Sequence, residues 1–193
     1  TLRHVYVHAD DEAKAGAAAA ALGALRPRAA LVVLPTGARV GEWVERLRTA
    51  GLEQTVTLHE AMGFPGADDP AGTERSTRQL LSRFNALRGR RRGGARDEAP
   101  PVLLTTEASC RGIDLPQLDA IVLLYCPLTS DSYVHLAGRA GRGAAEAEAG
   151  TVLSVLSEDE ARHLGLFSSQ LGLPIKPLRL ASAGGRPPPP SDS

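Results

Sequence analysis

Lysine is almost missing from this chain. Of its 22 basic residues only Lys14 and Lys176 are lysine, and the rest are arginine. Lys14 follows Ala13 and Lys176 follows Ile175, so no Gly-x-x-x-x-Gly-Lys-Ser/Thr phosphate loop is present. The chain therefore lacks the usual means of cradling a nucleoside triphosphate by itself. Net charge is lacking too: 22 basic residues balance 22 acidic ones. That balance excludes a global basic field drawing the chain onto nucleic acid, so any such contact has to be a local patch. Cys110 and Cys126 are too few for a secreted disulfide framework, and a reduced intracellular setting is expected. No apolar run reaches the roughly 20 residues that span a bilayer. The chain opens on Thr1 without a methionine, so it is expected to begin mid-protein, with any targeting segment upstream.

What is present is an alternation of strand-like and helix-like stretches in 193 residues, enough for one domain with a substantial core. Strands are expected at Val5–Val7, Ala30–Leu34, Thr55–Leu58, before Leu104 and Leu124, and at Thr151–Leu156, the last clear one. Between them, Asp10 or Asp11 is expected to cap a helix through Leu25. Val40, Trp43, Val44 and Leu47 recur at helical spacing, with Gly51 at the C-cap; Leu80, Leu81, Phe84 and Leu87 line another helix. Ser157-Glu158-Asp159-Glu160 reads as a capping box opening a helix that turns Leu164 and Phe167 inward. This order predicts an α/β fold with a mostly parallel sheet and helices on both faces. Gly63–Gly72 reads as a solvated loop, Arg88–Arg96 as an inserted loop with five arginines, and residues 181–193 as a flexible proline-rich tail. The domain proper is thus expected over residues 1–180.

Two blocks do not read as packing. Thr105-Thr106-Glu107-Ala108-Ser109-Cys110-Arg111-Gly112-Ile113-Asp114 follows the apolar run Val102-Leu103-Leu104. Tyr133-Val134-His135-Leu136-Ala137-Gly138-Arg139-Ala140-Gly141-Arg142 comes after Ile121-Val122-Leu123-Leu124. Polar, glycine-bearing loops at the carboxyl ends of parallel strands are where open α/β sheets bind ligands. Arg139 and Arg142 stand at i and i+3, which on a helix would turn both toward one anion. The opening strand ending in Asp10-Asp11-Glu12 mimics a metal-binding acidic site, but helix capping accounts for those carboxylates.

The two blocks resemble motifs V and VI of the DEAD-box RNA helicases, and the chain resembles their second, C-terminal RecA-like domain. Leu31-Val32-Val33-Leu34-Pro35-Thr36 resembles motif IV, and Leu58-His59-Glu60 the strand end beyond it. Leu80-Leu81-Ser82-Arg83-Phe84 resembles the element before motif V, and the opening strand with the helix carrying Lys14 resembles the start of this domain. The resemblance implies a RecA-like three-layer sandwich. It implies that Arg139 and Arg142 are arginine fingers reaching the phosphates of ATP, held with Mg²⁺ mainly by an N-terminal RecA-like domain, and that His135 couples the two domains. Asp114 and Gly112 would face the ATP ribose. Thr36, Thr106, Arg111 and Arg78 would contact RNA, through phosphates and 2′-hydroxyls rather than base edges. Plainer readings stand beside these: Asp114 paired with Arg111 in a loop salt bridge, Arg139 capping a helix end, Thr36 as a turn residue. The arginines of 88–96 are either a solvated loop or a contact to RNA phosphates or a ribosomal surface.

Three positions depart from the family pattern. Leu136 replaces an arginine after the motif VI histidine, Val33 a phenylalanine of motif IV, and Cys126 an aspartate after the following strand. An ATP-dependent RNA helicase is therefore set against a degenerate relative that binds or assembles within a ribonucleoprotein without catalysis. A DNA helicase of the same superfamily is a third reading, disfavoured by the histidine. Ribosome assembly, splicing and messenger remodelling all use such a fold, which does not by itself choose among them.

Overall fold

The computed structural model describes residues 2–58, 70–91, 98–110, 118–141 and 150–180, without the side chains of residues 70–77 and 91. Seven strands form one sheet: β1 (Arg3–His8), β2 (Ala30–Leu34), β3 (Thr55–Thr57), β4 (Val102–Thr106), β5 (Ala120–Leu123), β6 (Thr151–Leu156) and β7 (Ile175–Pro177). Their order is β3-β4-β2-β5-β6-β1-β7, and every pairing is parallel. The helices are α1 (Lys14–Leu25), α2 (Val40–Thr49), α3 (Pro70–Arg91), the short α4 (Glu107–Cys110), α5 (Ser130–Ala137) and α6 (Glu158–Leu171).

Strands β2, β4 and β5 are buried along their whole length, as expected of parallel strands covered on both faces. Their side chains alternate between two cores. Val32, Leu104, Val122 and Leu153 face one side, where α1 and α2 close over them with Ala18, Leu22, Val44 and Leu47. Leu31, Val33, Leu103, Ile121 and Val152 face the other, against Phe84 of α3, Tyr133 and Leu136 of α5, and Phe167 of α6. This is the expected three-layer α/β sandwich. Parallel pairing brings the carboxyl ends of β4, β2, β5, β6 and β1 to one edge, in that order.

Several local expectations hold. The Gly51 amide donates to the Arg48 carbonyl and the Leu52 amide to the Leu47 carbonyl, both at 2.9 Å, with Gly51 at φ +100. That pair of bonds is a Schellman C-cap, which needs a residue tolerant of the left-handed region. The capping box is complete: Ser157 Oγ accepts from the Glu160 amide and Glu160 Oε2 accepts from the Ser157 amide at 2.9 Å.

Other expectations need correction. Neither Asp10 nor Asp11 caps α1 with its side chain; the N-cap is Ala13, and the Asp10 carbonyl accepts the Ala13 and Lys14 amides in a turn that precedes the helix. Pro70–Gly72 lies in the first turn of α3 rather than in a loop, because proline suits an initial helical position whose amide has no partner to lose. Arg88–Arg91 ends that same helix; the rest of the arginine cluster, like the tail 181–193, lies outside the described residues. Strand β7 was not anticipated. It is three residues long, contains Lys176 and Pro177, and exists because β1 offers it a free edge.

Candidate functional site

The carboxyl edge of the sheet carries the candidate residues. Leu34 pairs with Thr106 across β2 and β4, so the turn after β2 and the helix after β4 leave the sheet side by side. Thr36 sits exposed in the tight turn Pro35–Ala38, which closes with Gly37 at φ +87 and the Ala38 amide donating to the Pro35 carbonyl at 3.2 Å. Thr36 thus stands in a turn, as the plainer reading had it, and is exposed.

Thr106 is placed differently. It is buried, its hydroxyl donates to Ser109 Oγ at 3.0 Å, and it accepts the Ser109 amide at 3.3 Å. Thr106 therefore caps α4, satisfying an amide that the first helical turn leaves without a partner. A phosphate contact there would have to replace the bond to Ser109. The next residue, Glu107, accepts the Tyr125 hydroxyl at 2.7 Å and so ties the end of β5 to α4.

Helix α5 presents motif VI. Thr129 caps it by accepting the Ser132 amide at 3.1 Å. Tyr133, Leu136 and Ala137 turn inward, while His135 is exposed. The helix ends at Ala137, so Arg139 lies beyond it rather than on a helical face, and Arg142 lies outside the described residues. Arg139 instead lies in a turn whose amide donates to the Leu136 carbonyl, and Gly141 follows at φ +74, its amide donating to the Leu118 carbonyl at 3.0 Å. A methyl group on Gly150 would stand 2.7 Å from the Gly141 nitrogen, so the backbone after Arg139 is fixed by glycine against glycine.

The central finding is how Arg139 is held. Its Nη2 donates to the Cys110 carbonyl at the end of α4, 3.2 Å away, and lies 3.4 Å from His135 Nε2. A guanidinium only donates, so the second contact uses the lone pair on Nε2. One side chain thus joins motif V to motif VI. Arg111, Gly112, Asp114 and Arg142 lie outside the described residues. Arg78 is exposed on α3. Cys110 is the packing residue expected of it: burial pushes its thiol up to about 11, against the pull of Arg139.

Two of the three family departures are core residues here. Val33 is fully buried and Leu136 is 2% exposed, both in the core beneath α5. An arginine at 136 would have to bury its charge in this packing.

Sequence reasoning missed two buried polar pairs. His4 Nδ1 lies 2.8 Å from the Tyr133 hydroxyl, linking β1 to α5. Burial lowers the pKa of His4 and raises that of Tyr133. Lys14, 3% exposed, reaches Glu160 Oε2 at 2.7 Å and the Leu124 carbonyl at 3.1 Å. The signal for Lys14 was available: with Ala18, Ala21 and Leu22 it occupies the i, i+4, i+7, i+8 stripe that faces the core.

Residues 71–144 match the model of the helicase conserved C-terminal domain. The DEAD-box ATP-dependent RNA helicase CshC of Bacillus cereus is 40% identical over 72 residues, 37% of this chain and 18% of that protein. The ATP-dependent RNA helicase DBP3 of Candida albicans is 41% identical over 63 residues, 33% of this chain and 10% of that protein. Nucleolar RNA helicase 2-B of Xenopus laevis is 32% identical over 89 residues, 46% of this chain and 11% of that protein. The matched stretches thus span less than a fifth of these relatives. Among solved structures, the E. coli DEAD-box protein SrmB bound to the regulator RraA superposes with a TM-score of 0.66 at 21% identity, covering 98% of this chain and 99% of that one. The C-terminal domain of the DEAD-box protein Dbp5 gives 0.61 at 18% identity, over 91% and 89%. At such identities the superpositions speak for the fold. The sequence matches, the motif order and the parallel sheet agree: the chain is similar to the C-terminal RecA-like domains of DEAD-box helicases.

Proposed function

We propose that this chain serves as the second RecA-like half of an ATP-dependent RNA helicase. The observation that carries the reading is the Arg139 guanidinium, held at the carboxyl edge of the sheet between His135 and the Cys110 carbonyl. Phosphoryl transfer needs positioned positive charge more than covalent help. The residues present suit that need: Arg139 is partly exposed on an edge where ligands of α/β sheets bind, and the chain just after it packs closely, Gly141 against Gly150. ATP with Mg²⁺ supplies the phosphoryl group and is assigned mainly to an N-terminal RecA-like domain. Arg139, with Arg142 beside it in sequence, is then the finger that stabilises charge on the transferring phosphates. His135 couples the two domains, and Asp114 and Gly112 hold the ribose.

Thr36, Thr106, Arg78 and Arg111 are the proposed RNA contacts. Thr36 is the best prepared of them, exposed in a hydrogen-bonded turn, whereas Thr106 must exchange its bond to Ser109 for one to phosphate. Closure of the two domains on ATP and RNA would bend one strand and open a short duplex, as remodelling of a ribonucleoprotein requires.

The test is RNA-stimulated ATP hydrolysis by the intact protein, beside an Arg139→Ala variant. Strong stimulation that collapses in the variant establishes the finger. Absence of stimulated turnover in the unaltered protein overturns the catalytic reading and leaves a non-catalytic assembly module.

A further inference from the structure

Lys14 is a buried charged group with three bonded partners that the mechanism above does not use. Its ammonium has three donors and three acceptors: the Leu124 carbonyl at 3.1 Å, Glu160 Oε2 at 2.7 Å and Asp11 Oδ1 at 2.9 Å. The carboxylates come from opposite sides of the sheet. Asp11 precedes α1, which covers one face, and Glu160 opens α6, which covers the other. The carbonyl is that of Leu124, the residue at which the chain leaves β5 on its way to α5.

We propose that Lys14 is a positioning residue for Arg139: it anchors the β5–α5 connection from which motif VI is suspended. The inference rests on the functional reading given above. Between Leu124 and the N-cap Thr129 lie only Tyr125, Cys126, Pro127 and Leu128. Tyr125 is pinned to Glu107, and Leu128 is 87% exposed with no packing of its own. Leu124 is buried and its amide donates to the Val33 carbonyl at 3.2 Å, so the connection has three described polar anchors. Tyr125 ties it to α4, whose last carbonyl receives Arg139. Lys14 ties it to α1 and α6. Releasing the Lys14 anchor leaves Leu124 held only by its packing and its bond to β2, and so loosens the start of the short path leading to α5.

Glu160 fits this role by its own constraints. The oxygen that meets Lys14 also accepts the Ser157 amide, so the capping box holds the carboxylate in place before Lys14 arrives. Cys126, where the family pattern has an aspartate, is half-buried near this carboxylate; burial and the charge of Glu160 push its thiol up to about 11. The negative charge beside the connection thus comes from α6 instead of from position 126.

The experiment compares Lys14→Met and Glu160→Gln with the unaltered intact protein, and Lys14→Met also in an Arg139→Ala background. Methionine keeps the length of the stem without the ammonium; glutamine keeps an acceptor for the Ser157 amide without the charge. Amide hydrogen exchange is read across residues 124–139 and, as reference, across β2 and β4. The expected result is faster exchange in Lys14→Met, about tenfold and confined to 124–139, reporting local release rather than global unfolding. RNA-stimulated kcat is expected to fall about tenfold to a hundredfold with the KM for ATP little changed, since small displacements of a catalytic group carry costs of this order. Glu160→Gln gives a smaller loss in the same direction. In the Arg139→Ala background the Lys14 substitution adds nothing further to the loss. Exchange that is unchanged at 124–139, or raised equally in β2 and β4, overturns the proposal, as does a full additional loss in the double variant. If the unaltered protein shows no stimulated turnover, the functional reading fails by itself, and exchange still decides whether Lys14 holds this segment.

Discussion

Arg139 and Cys110 stand 29 residues apart in sequence, yet the arginine donates through Nη2 to the cysteine's carbonyl at 3.2 Å. The bond sets where the guanidinium sits relative to the end of β4, and so relative to everything that leaves the sheet on that edge. Replacing Arg139 by alanine in the intact protein is expected to lower RNA-stimulated kcat by on the order of 10³-fold, the scale on which arginine fingers act. Lysine at this position keeps a charge but not the planar fork, and should recover only a small part of the rate. Steady-state hydrolysis with saturating RNA measures both.

The pairing of His4 with Tyr133 predicts an acid-sensitive fold. Burial lowers the pKa of His4 in the folded state below its ordinary value of 6.5. The unfolded chain therefore takes up a proton first as pH falls. This contribution to stability is complete above about pH 6.5 and is lost progressively as pH drops from there toward the lowered folded-state value. Urea midpoints between pH 7.5 and 5 should decline, and a His4→Phe variant should flatten that part of the profile. A decline of equal depth in the variant would rule His4 out as its source.

Two glycines should respond to alanine in opposite directions. At Gly150 a methyl group would meet the Gly141 nitrogen at 2.7 Å and its Cα at 2.9 Å, backbone that cannot rotate away. Gly150→Ala is expected to cost about 1–3 kcal/mol. It should also disturb the turn carrying Arg139. Gly165 lies exposed inside α6 with open space around it, so Gly165→Ala should stabilise by roughly 0.5–1 kcal/mol. Thermal denaturation of the two variants side by side tests the contrast.

Ser157→Ala removes one half of the capping box and is expected to cost about 1 kcal/mol, read as a lower urea midpoint at an unchanged slope. Because Glu160 also holds Lys14, loosening of this cap should reach the Leu124 carbonyl. Faster amide exchange at Tyr125 in the variant is the sign of it.

Much of this was legible along the chain. Val32, Leu104 and Val122 lie in runs apolar enough to be buried on both faces, and the alternation of such runs with helical stripes dictated a parallel sheet. Ser157 and Glu160 specified their cap because the interaction spans a single turn. Gly51 specified its own for the same reason. The motif blocks marked the carboxyl edge of the sheet by their glycines and arginines, although their threonines Thr105 and Thr106 are buried. The failures have equally physical origins. Arg139 read as part of a helical face, but α5 stops at Ala137 and Gly141 takes the left-handed region, which no periodicity in the polar residues announces. Pro70 read as a loop residue, although proline is also welcome in the first turn of a helix. Strand β7 escaped notice because its three residues carry no alternation and acquire their conformation from β1 alone.

By itself the sequence determined the class of fold, the two-sided burial of the central strands, the local caps and the residues that mark the carboxyl edge of the sheet. These depend on hydrophobic spacing and on bonds within one turn, both written in consecutive residues. Only the tertiary structure decided which partners the polar groups would take. That Arg139 rests on Cys110, that His4 meets Tyr133 and that Lys14 joins Leu124 to Glu160 all depend on strand order. A buried donor must find an acceptor wherever the sheet happens to bring one, and that place is set by the packing of the whole chain.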